Sequence, residues 1–217
     1  MALWKIQQQK EFEIFGLLTT ISLPYNRISM HGVRRELLDV QAQATGLPVY
    51  TVQVSEKTNA AYEDAMLLAF SKLKSKGVTH VVFGDIFLED LKLYREQLLA
   101  RVGLKCVFPL WKNDTAELAQ RFLADHFKTI TCCVNDLHFG EKDCGREFDA
   151  DFLTNLPNGV DPCGENGEFH TFCYAGPIFK SEIRFLIGEK IYRPLEMKTD
   201  DEKISTKGFW YCDLVAL

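Results

Sequence analysis

V-T-H-V-V-F-G-D-I-F-L-E-D-L-K-L-Y-R, residues 78–95, decides the fold. Residues 78–83 are rich in β-branched and aromatic side chains, as a buried strand is. Gly84 and Asp85 break the run with a turn. Leu88, Leu91 and Arg95 then recur at helical spacing, with Glu89 and Asp90 in the first turn, where acids complement the helix dipole. A strand passing through a tight turn into a helix is half of a βαβ unit. The same alternation extends in both directions. Residues 12–21, 48–54, 105–108 and 129–134 also read as strands. Between them Val33, Leu37, Val40 and Ala44 share one helix face. Ala61, Ala65, Leu68 and Leu73 share another, and Ala119, Phe122, Leu123 and His126 a third, opened by a capping pair at Asp114 and Glu117. Strands separated by helices predict an α/β fold, a parallel sheet with helices on both faces. Ligands of such sheets bind beyond the strand C-terminal ends, here the loops opening at Ser22, Ser55, Gly84 and Asn135.

After residue 134 the rhythm changes. Residues 140–145 are turn-rich, 148–156 resemble a short helix, and short strands at 169–174, 183–186, 190–192 and 209–214 lack intervening helices. The chain therefore divides into 1–134, the parallel-sheet unit, and 135–217, a smaller α+β domain with a mixed or antiparallel sheet. The cleft between them is the natural site. Residues 199–207, charged and without large apolar side chains, read as an exposed loop.

The 217 residues can bury a sizeable core, and 47% hydrophobic with 25% charged residues is ordinary globular composition. A net charge of −5 argues against a general nucleic-acid binder. No apolar run has membrane-spanning length and no secretion signal is evident, so a cytoplasmic location without membrane association is expected. The seven cysteines are odd in number and show no C-x-x-C pair, which disfavours a disulfide scaffold or zinc site; Cys132 and Cys133 read as buried small hydrophobes. Cys163 and Cys173 stand beside a polar loop.

That loop, D-P-C-G-E-N-G-E-F-H-T at residues 161–171, is the densest set of functional groups in the chain. Gly164 and Gly167 allow positive φ, so Glu165, Asn166, Glu168, His170 and Thr171 can converge on a small polar ligand. Two carboxylates, an amide, an imidazole and a hydroxyl suit cation binding, amine positioning or proton transfer. A Gly-rich turn with solvated acids is the bland alternative. Gly84 and Asp85 end a strand on the ligand side, where a carboxylate faces bound substrate. His31 and Gly32 precede a helix start, an arrangement suited to an anion or nucleotide and equally to a capping loop.

G-D-I-F-L-E-D at 84–90, P-L-W at 109–111, G-R-E-F-D at 145–149, the 161–171 loop and F-W-Y-C-D-L at 209–214 resemble, in order, the diphthine–ammonia ligase family, the diphthamide-synthesis branch of the PP-loop ATP pyrophosphatases. The resemblance implies a Rossmann-like domain of the adenine nucleotide alpha hydrolase type and a family-specific C-terminal domain. It implies ATP and Mg2+, with ammonia and a carboxylate substrate as partners, the carboxylate being diphthine on an elongation factor. The carboxylate attacks the α-phosphate, pyrophosphate leaves, and ammonia displaces AMP. His31, Gly84 and Asp85 would face the nucleotide, and Glu165, Asn166, Glu168, His170 and Thr171 the acyl-adenylate and ammonia. Family members open with a strand and an S-G-G-K-D-S type phosphate loop, then a helix beginning A-L. This chain begins M-A-L-W-K-I, so residues 2–6 align with that helix. On this reading the phosphate loop and first strand are lacking, and the parallel sheet should show a gap or exposed edge. An adenine-nucleotide-binding module without ligase activity and a related ligase for a small metabolite remain open.

Overall fold

The computed structural model describes residues 1–54, 58–195 and 208–217. The first unit comprises α1 (Ala2–Gln9), β1 (Leu17–Ser22), β2 (Arg27–Ile28), α2 (Arg35–Thr45), β3 (Val49–Val54), α3 (Asn59–Ser75), β4 (His80–Val82), α4 (Glu89–Ala100) and β5 (Lys105–Val107). After it come α5 (Thr115–Ala124), β6 (Lys128–Asn135), α6 (Ala150–Thr154), β7 (Phe169–Ala175), β8 (Phe185–Pro194) and β9 (Gly208–Ala216). The expected strands are present, although 12–16 precede β1 rather than belong to it, and the two expected at 183–186 and 190–192 form one strand, β8. The loop opening at Ser55 and the 199–207 segment lie outside the described residues.

β1 and β3 pair in parallel, as do β4 and β5. β2 adds a short antiparallel bridge to β1. Among the described residues no ladder joins the two parallel pairs, so the expected single sheet is two. β6 is a correction: expected as the last parallel strand, it pairs antiparallel with both β7 and β9 in a sheet of order β7-β6-β9-β8. The sheets therefore divide before residue 128, not at 134. A run buried on both faces, as β6 is, carries no alternation that would tell parallel from antiparallel.

The helix termini follow their sequence. Asp114 caps α5 by accepting the Glu117 N–H at 2.9 Å, and Gly46 ends α2 at φ 74. α2 buries Leu37 and Ala44 as its periodicity predicts, with Val33 buried just before the helix and Val40 half-buried. α3 is rotated from expectation: it buries Met66, Phe70 and Leu73, while Leu68 is exposed. Two bulky side chains, Phe70 and Met66, outweigh a stripe of alanines in apolar area removed from water. His126 lies beyond α5 in a left-handed conformation.

The largest core lies in the antiparallel unit, where α2 and α5 pack against Ile130, Val134, Phe169, Phe172 and Leu214. A second core lies under α3 and α4. Asp213 on β9 accepts Arg27 Nη1 at 2.8 Å and Arg34 Nη2 at 2.6 Å, tying the β2–α2 connection to the antiparallel sheet. Cys132 and Cys133 are buried, and all seven cysteines are free.

Candidate functional site

The 161–168 loop is organised by its own carboxylates. Buried Glu168 accepts the Asp161 N–H (2.9 Å) and the Asn166 side-chain amide (3.0 Å) at Oε1, and the Asn166 N–H (3.0 Å) at Oε2. Asp161 Oδ2 accepts the N–H groups of Cys163 and Glu165, both at 3.0 Å. Gly164, at φ 68, has the Phe169 carbonyl 2.8 Å from where a Cβ would stand, so the turn closes only with glycine there. Asn135 at the end of β6 secures the far side, its Nδ2 donating to the Gly167 carbonyl at 3.3 Å.

The loop projects Glu165 into the parallel unit. Its Oε1 accepts the Ile86 backbone N–H at 2.7 Å, in the turn that follows β4. Burial raises the Glu165 pKa; the Ile86 hydrogen bond opposes this and the neighbouring Asp85 charge adds to it. Asp85 is itself buried. Arg95 Nε lies 3.0 Å from its Oδ1 and 2.9 Å from Oδ2, but only the first contact is aligned as a hydrogen bond, leaving Oδ2 without a donor. The Arg95 guanidinium is held over Phe83, 4.5 Å from the ring centroid. Gly84 faces α1: a Cβ there would stand 4.0 Å from that of Ala2, an ordinary contact. Gly84, Asp85 and Glu165 therefore meet at one place.

A cavity of about 160 Å³ opens beside them, lined by Ile86, Leu110, Leu118, Cys163, Phe169 and Thr171 among others. Thr129 also lines it, with a buried hydroxyl that has no partner. Burial, followed by the Asp161 and Glu165 charges, pushes the Cys163 thiol up to about 12, and burial holds Cys173 at about 11. Neither is a thiolate at neutral pH.

His170 stands apart. Successive strand residues point to opposite faces, so with Phe169 and Thr171 on the cavity His170 points away from it. There its ring meets that of His31, with centroids 4.5 Å apart. Burial lowers the His31 pKa, partly countered by Ser29; burial and then the His31 neighbour lower His170 to about 3. Both rings are neutral at physiological pH. The structure thus gathers the eight candidate residues into two clusters: Glu165, Asn166, Glu168 and Thr171 with Gly84 and Asp85, and His31 with His170. Sequence reading missed the Ile86 N–H and Asp161 as loop organiser; an Asp before Pro at a turn start was the available signal for the second.

A parallel-strand unit and an antiparallel sheet that meet at the Glu165–Ile86 hydrogen bond, with buried carboxylates at the end of a parallel strand, make this a two-part α/β protein. The diphthamide synthase N-terminal domain model matches residues 1–106, and the C-terminal domain model matches 114–203. The chain belongs to the diphthamide synthase family, and its first unit is of the nucleotide alpha hydrolase type. It is 29% identical over 141 residues to the diphthine–ammonia ligase of Bos taurus, covering 63% of this chain and 51% of that protein. With the diphthine–ammonia ligase of Danio rerio it shares 27% over 170 residues, 70% of this chain and 66% of the relative. With that of Schizosaccharomyces pombe it shares 32% over 92 residues, 41% of this chain and 15% of the relative. The chain thus spans about half to two thirds of the length of the vertebrate relatives it matches. Among the described residues no helix is long and apolar enough to cross a membrane.

Proposed function

We propose that this chain is an ATP-dependent amide ligase that adenylates a carboxylate and transfers ammonia to it, with diphthine on an elongation factor as the acceptor, in the cytoplasm. Family membership supports the reaction class, and the observation that carries the assignment to a site is the 2.7 Å hydrogen bond joining Glu165 to the Ile86 N–H beside Asp85. It brings the polar loop of one unit to the ligand side of the other, as a reaction using a nucleotide and a second substrate requires.

In the first half-reaction the acceptor carboxylate attacks the α-phosphorus and pyrophosphate departs. In the second, ammonia attacks the acyl carbon, AMP leaves with the bonding electrons, and the nitrogen sheds a proton. Glu165 is the residue we assign to that proton. Its carboxylate stands at the Ile86 and Phe87 N–H groups, and burial raises its pKa, the direction that suits a base. Glu168, engaged by three donors, holds the loop in shape. Asn166 is the second arm of that clasp, and Thr171 offers a hydroxyl at the cavity wall. Gly84 and Asp85 face the nucleotide.

Magnesium on nucleotide phosphates needs only one or two protein carboxylates. Asp85, whose Oδ2 lies in the Arg95 ion pair but receives no hydrogen bond, and Glu165 would supply them, and the metal would neutralise charge on the departing pyrophosphate. Among the described residues no three His, Cys, Asp or Glu side chains stand together as a metal cage.

The test is incubation of the chain with ATP, ammonium and diphthine-bearing elongation factor. AMP, pyrophosphate and amidated product should form in equal amounts. Nucleotide binding without AMP release would instead make the chain a binding module, and AMP formation only with a small carboxylate would reassign the acceptor.

A further inference from the structure

Cys144 closes the turn that follows Gly140, and Cys212 lies on β9; both are buried in the antiparallel unit and stand far apart in sequence. Their side chains meet, and the two thiols share a hydrogen bond. The surrounding backbone fixes the encounter from both sides. Cys212 Sγ stands 2.9 Å from where a Cβ on Gly145 would be, so it rests against the backbone next to Cys144. Cys144 Sγ in turn donates to the Trp210 carbonyl at 3.3 Å, on the strand that carries Cys212. Gly145, at φ 78 and without a side chain, leaves room for the approach.

The pair is covered by flexible side chains of β8. Lys190 pairs with Cys212 across the sheet, and its Cε stands 3.5 Å, and Ile187 Cγ2 3.6 Å, from the same Gly145 position. Ile187 is 53% exposed, and the Lys190 ammonium reaches the Glu141 carbonyl at 3.1 Å. Movement of these two side chains opens the dithiol to a molecule as small as hydrogen peroxide. The thiols are not equivalent. The Cys212 pKa is lowered, by the Cys144 hydrogen bond first, with burial opposing and the Lys190 charge assisting. That of Cys144 is raised, by the same bond and then by burial. Cys212 is therefore the nucleophile and Cys144 the thiol that resolves it.

We propose that Cys144 and Cys212 are an oxidation site, at which hydrogen peroxide closes a reversible disulfide joining the turn after Gly140 to β9. The Cys212 thiolate attacks one peroxide oxygen, the O–O bond breaks, and hydroxide leaves and is protonated, giving a sulfenic acid. The Cys144 sulfur then attacks that sulfur. The S–S bond forms, the S–O bond breaks, and water departs with the Cys144 proton. Two thiols and one peroxide thus give one disulfide and two waters, and a dithiol reductant reverses the change by exchange. The site is separate from Glu165 and does not depend on the ligase assignment.

The folded chain, treated with a small excess of hydrogen peroxide and then alkylated, should yield one linked peptide pair, Cys144 to Cys212, by mass spectrometry. Its intact mass should fall by two hydrogen atoms and return with dithiothreitol. Thermal denaturation of the oxidised chain should show a higher midpoint than that of the reduced chain, because the bond closes a long loop. Cys144→Ser should leave Cys212 as a sulfenic acid that dimedone captures, whereas Cys212→Ser should form neither product. Lys190→Gln, which removes the nearby ammonium without touching either sulfur, should slow closure by about 3-fold or more. Mapping of the unmodified chain needs no variant to fold. Oxidation that leaves Cys144 and Cys212 as thiols, a linkage to Cys132 or Cys133 instead, a bond between chains, dimedone capture at Cys144 in the Cys212→Ser chain, or a rate indifferent to Lys190 would each overturn the proposal.

Discussion

The Glu165 carboxylate and the Ile86 backbone N–H, 79 residues apart in sequence, meet at 2.7 Å where the antiparallel unit touches the turn after β4. Glutamine at 165 keeps an acceptor oxygen for Ile86 while removing the charge and the basic function. With the acceptor substrate present, Glu165→Gln should slow amide formation by about 10²-fold or more. Exchange of labelled pyrophosphate into ATP, which reports adenylation alone, should fall far less. Equal loss in both assays would remove Glu165 from the ammonia step and place it with the nucleotide.

Glu168→Gln should act through the fold. The carboxylate accepts three N–H donors inside the loop, and an amide in its place turns one end into a donor facing donors. Leaving a buried N–H unmatched costs about 1–3 kcal/mol. Urea denaturation should show a lower midpoint, corresponding to a stability loss of that size, without a change in slope. Activity should fall in both half-reactions together. A stable variant defective in amide formation alone would return Glu168 to the role that its place in the sequence motif first suggested.

Much of this was legible in the sequence because period and punctuation are local. The turn at Gly84 and Asp85, the cap at Asp114 and the buried face of α2 need no knowledge of the rest of the chain. What could not be read depends on contacts distant in sequence. β6 is apolar on both sides, so its run of Ile130 to Val134 fits either sheet, and only its partners β7 and β9 show which. The separation of Thr171 from His170 follows from strand alternation, yet which residue meets the cavity depends on how β7 sits against α5. Glu165 and Glu168 look alike in the motif. One reaches across to Ile86 and the other turns back on its own loop, a difference fixed by three-dimensional packing.

Asp213 is tied to Arg27 and Arg34, and its carboxyl pKa is held below the ordinary value, by Arg34 first, with burial opposing and Arg27 assisting. A carboxyl whose folded pKa is depressed contributes stability above its unfolded pKa and loses it as pH falls through the folded value. Asp213→Asn should therefore lower stability at neutral pH and flatten the loss of stability below about pH 4. Denaturation midpoints measured from neutral pH down into that range check both parts. An unaltered acid limb would mean that the ion pairs contribute nothing beyond what solvent supplies.

The adjoining rings of His31 and His170 carry the opposite charge logic. Burial disfavours the imidazolium in both, and His170 is further depressed by its neighbour, to about 3. The unfolded chain takes up protons at these positions once pH falls below about 6.5, while the folded chain resists. Below that pH the unfolded state holds more protons, so stability is fully present above about 6.5 and declines steadily on acidification until the folded value is reached. Replacing one ring with an aromatic that cannot titrate should keep the packing and remove part of that slope. His170→Phe is the suitable change, because the ring lies within reach of His31 at 4.5 Å and makes no side-chain hydrogen bond among the described residues. The variant should match wild type near pH 8 and exceed it near pH 5.5, by an amount that chemical denaturation at the two values resolves. Because His170 points away from the cavity beside Glu165, amide formation at pH 8 should change little. A large loss of activity with stability intact would put His170 in the reacting site, and a slope unchanged by the substitution would locate the acid sensitivity in His31 or elsewhere.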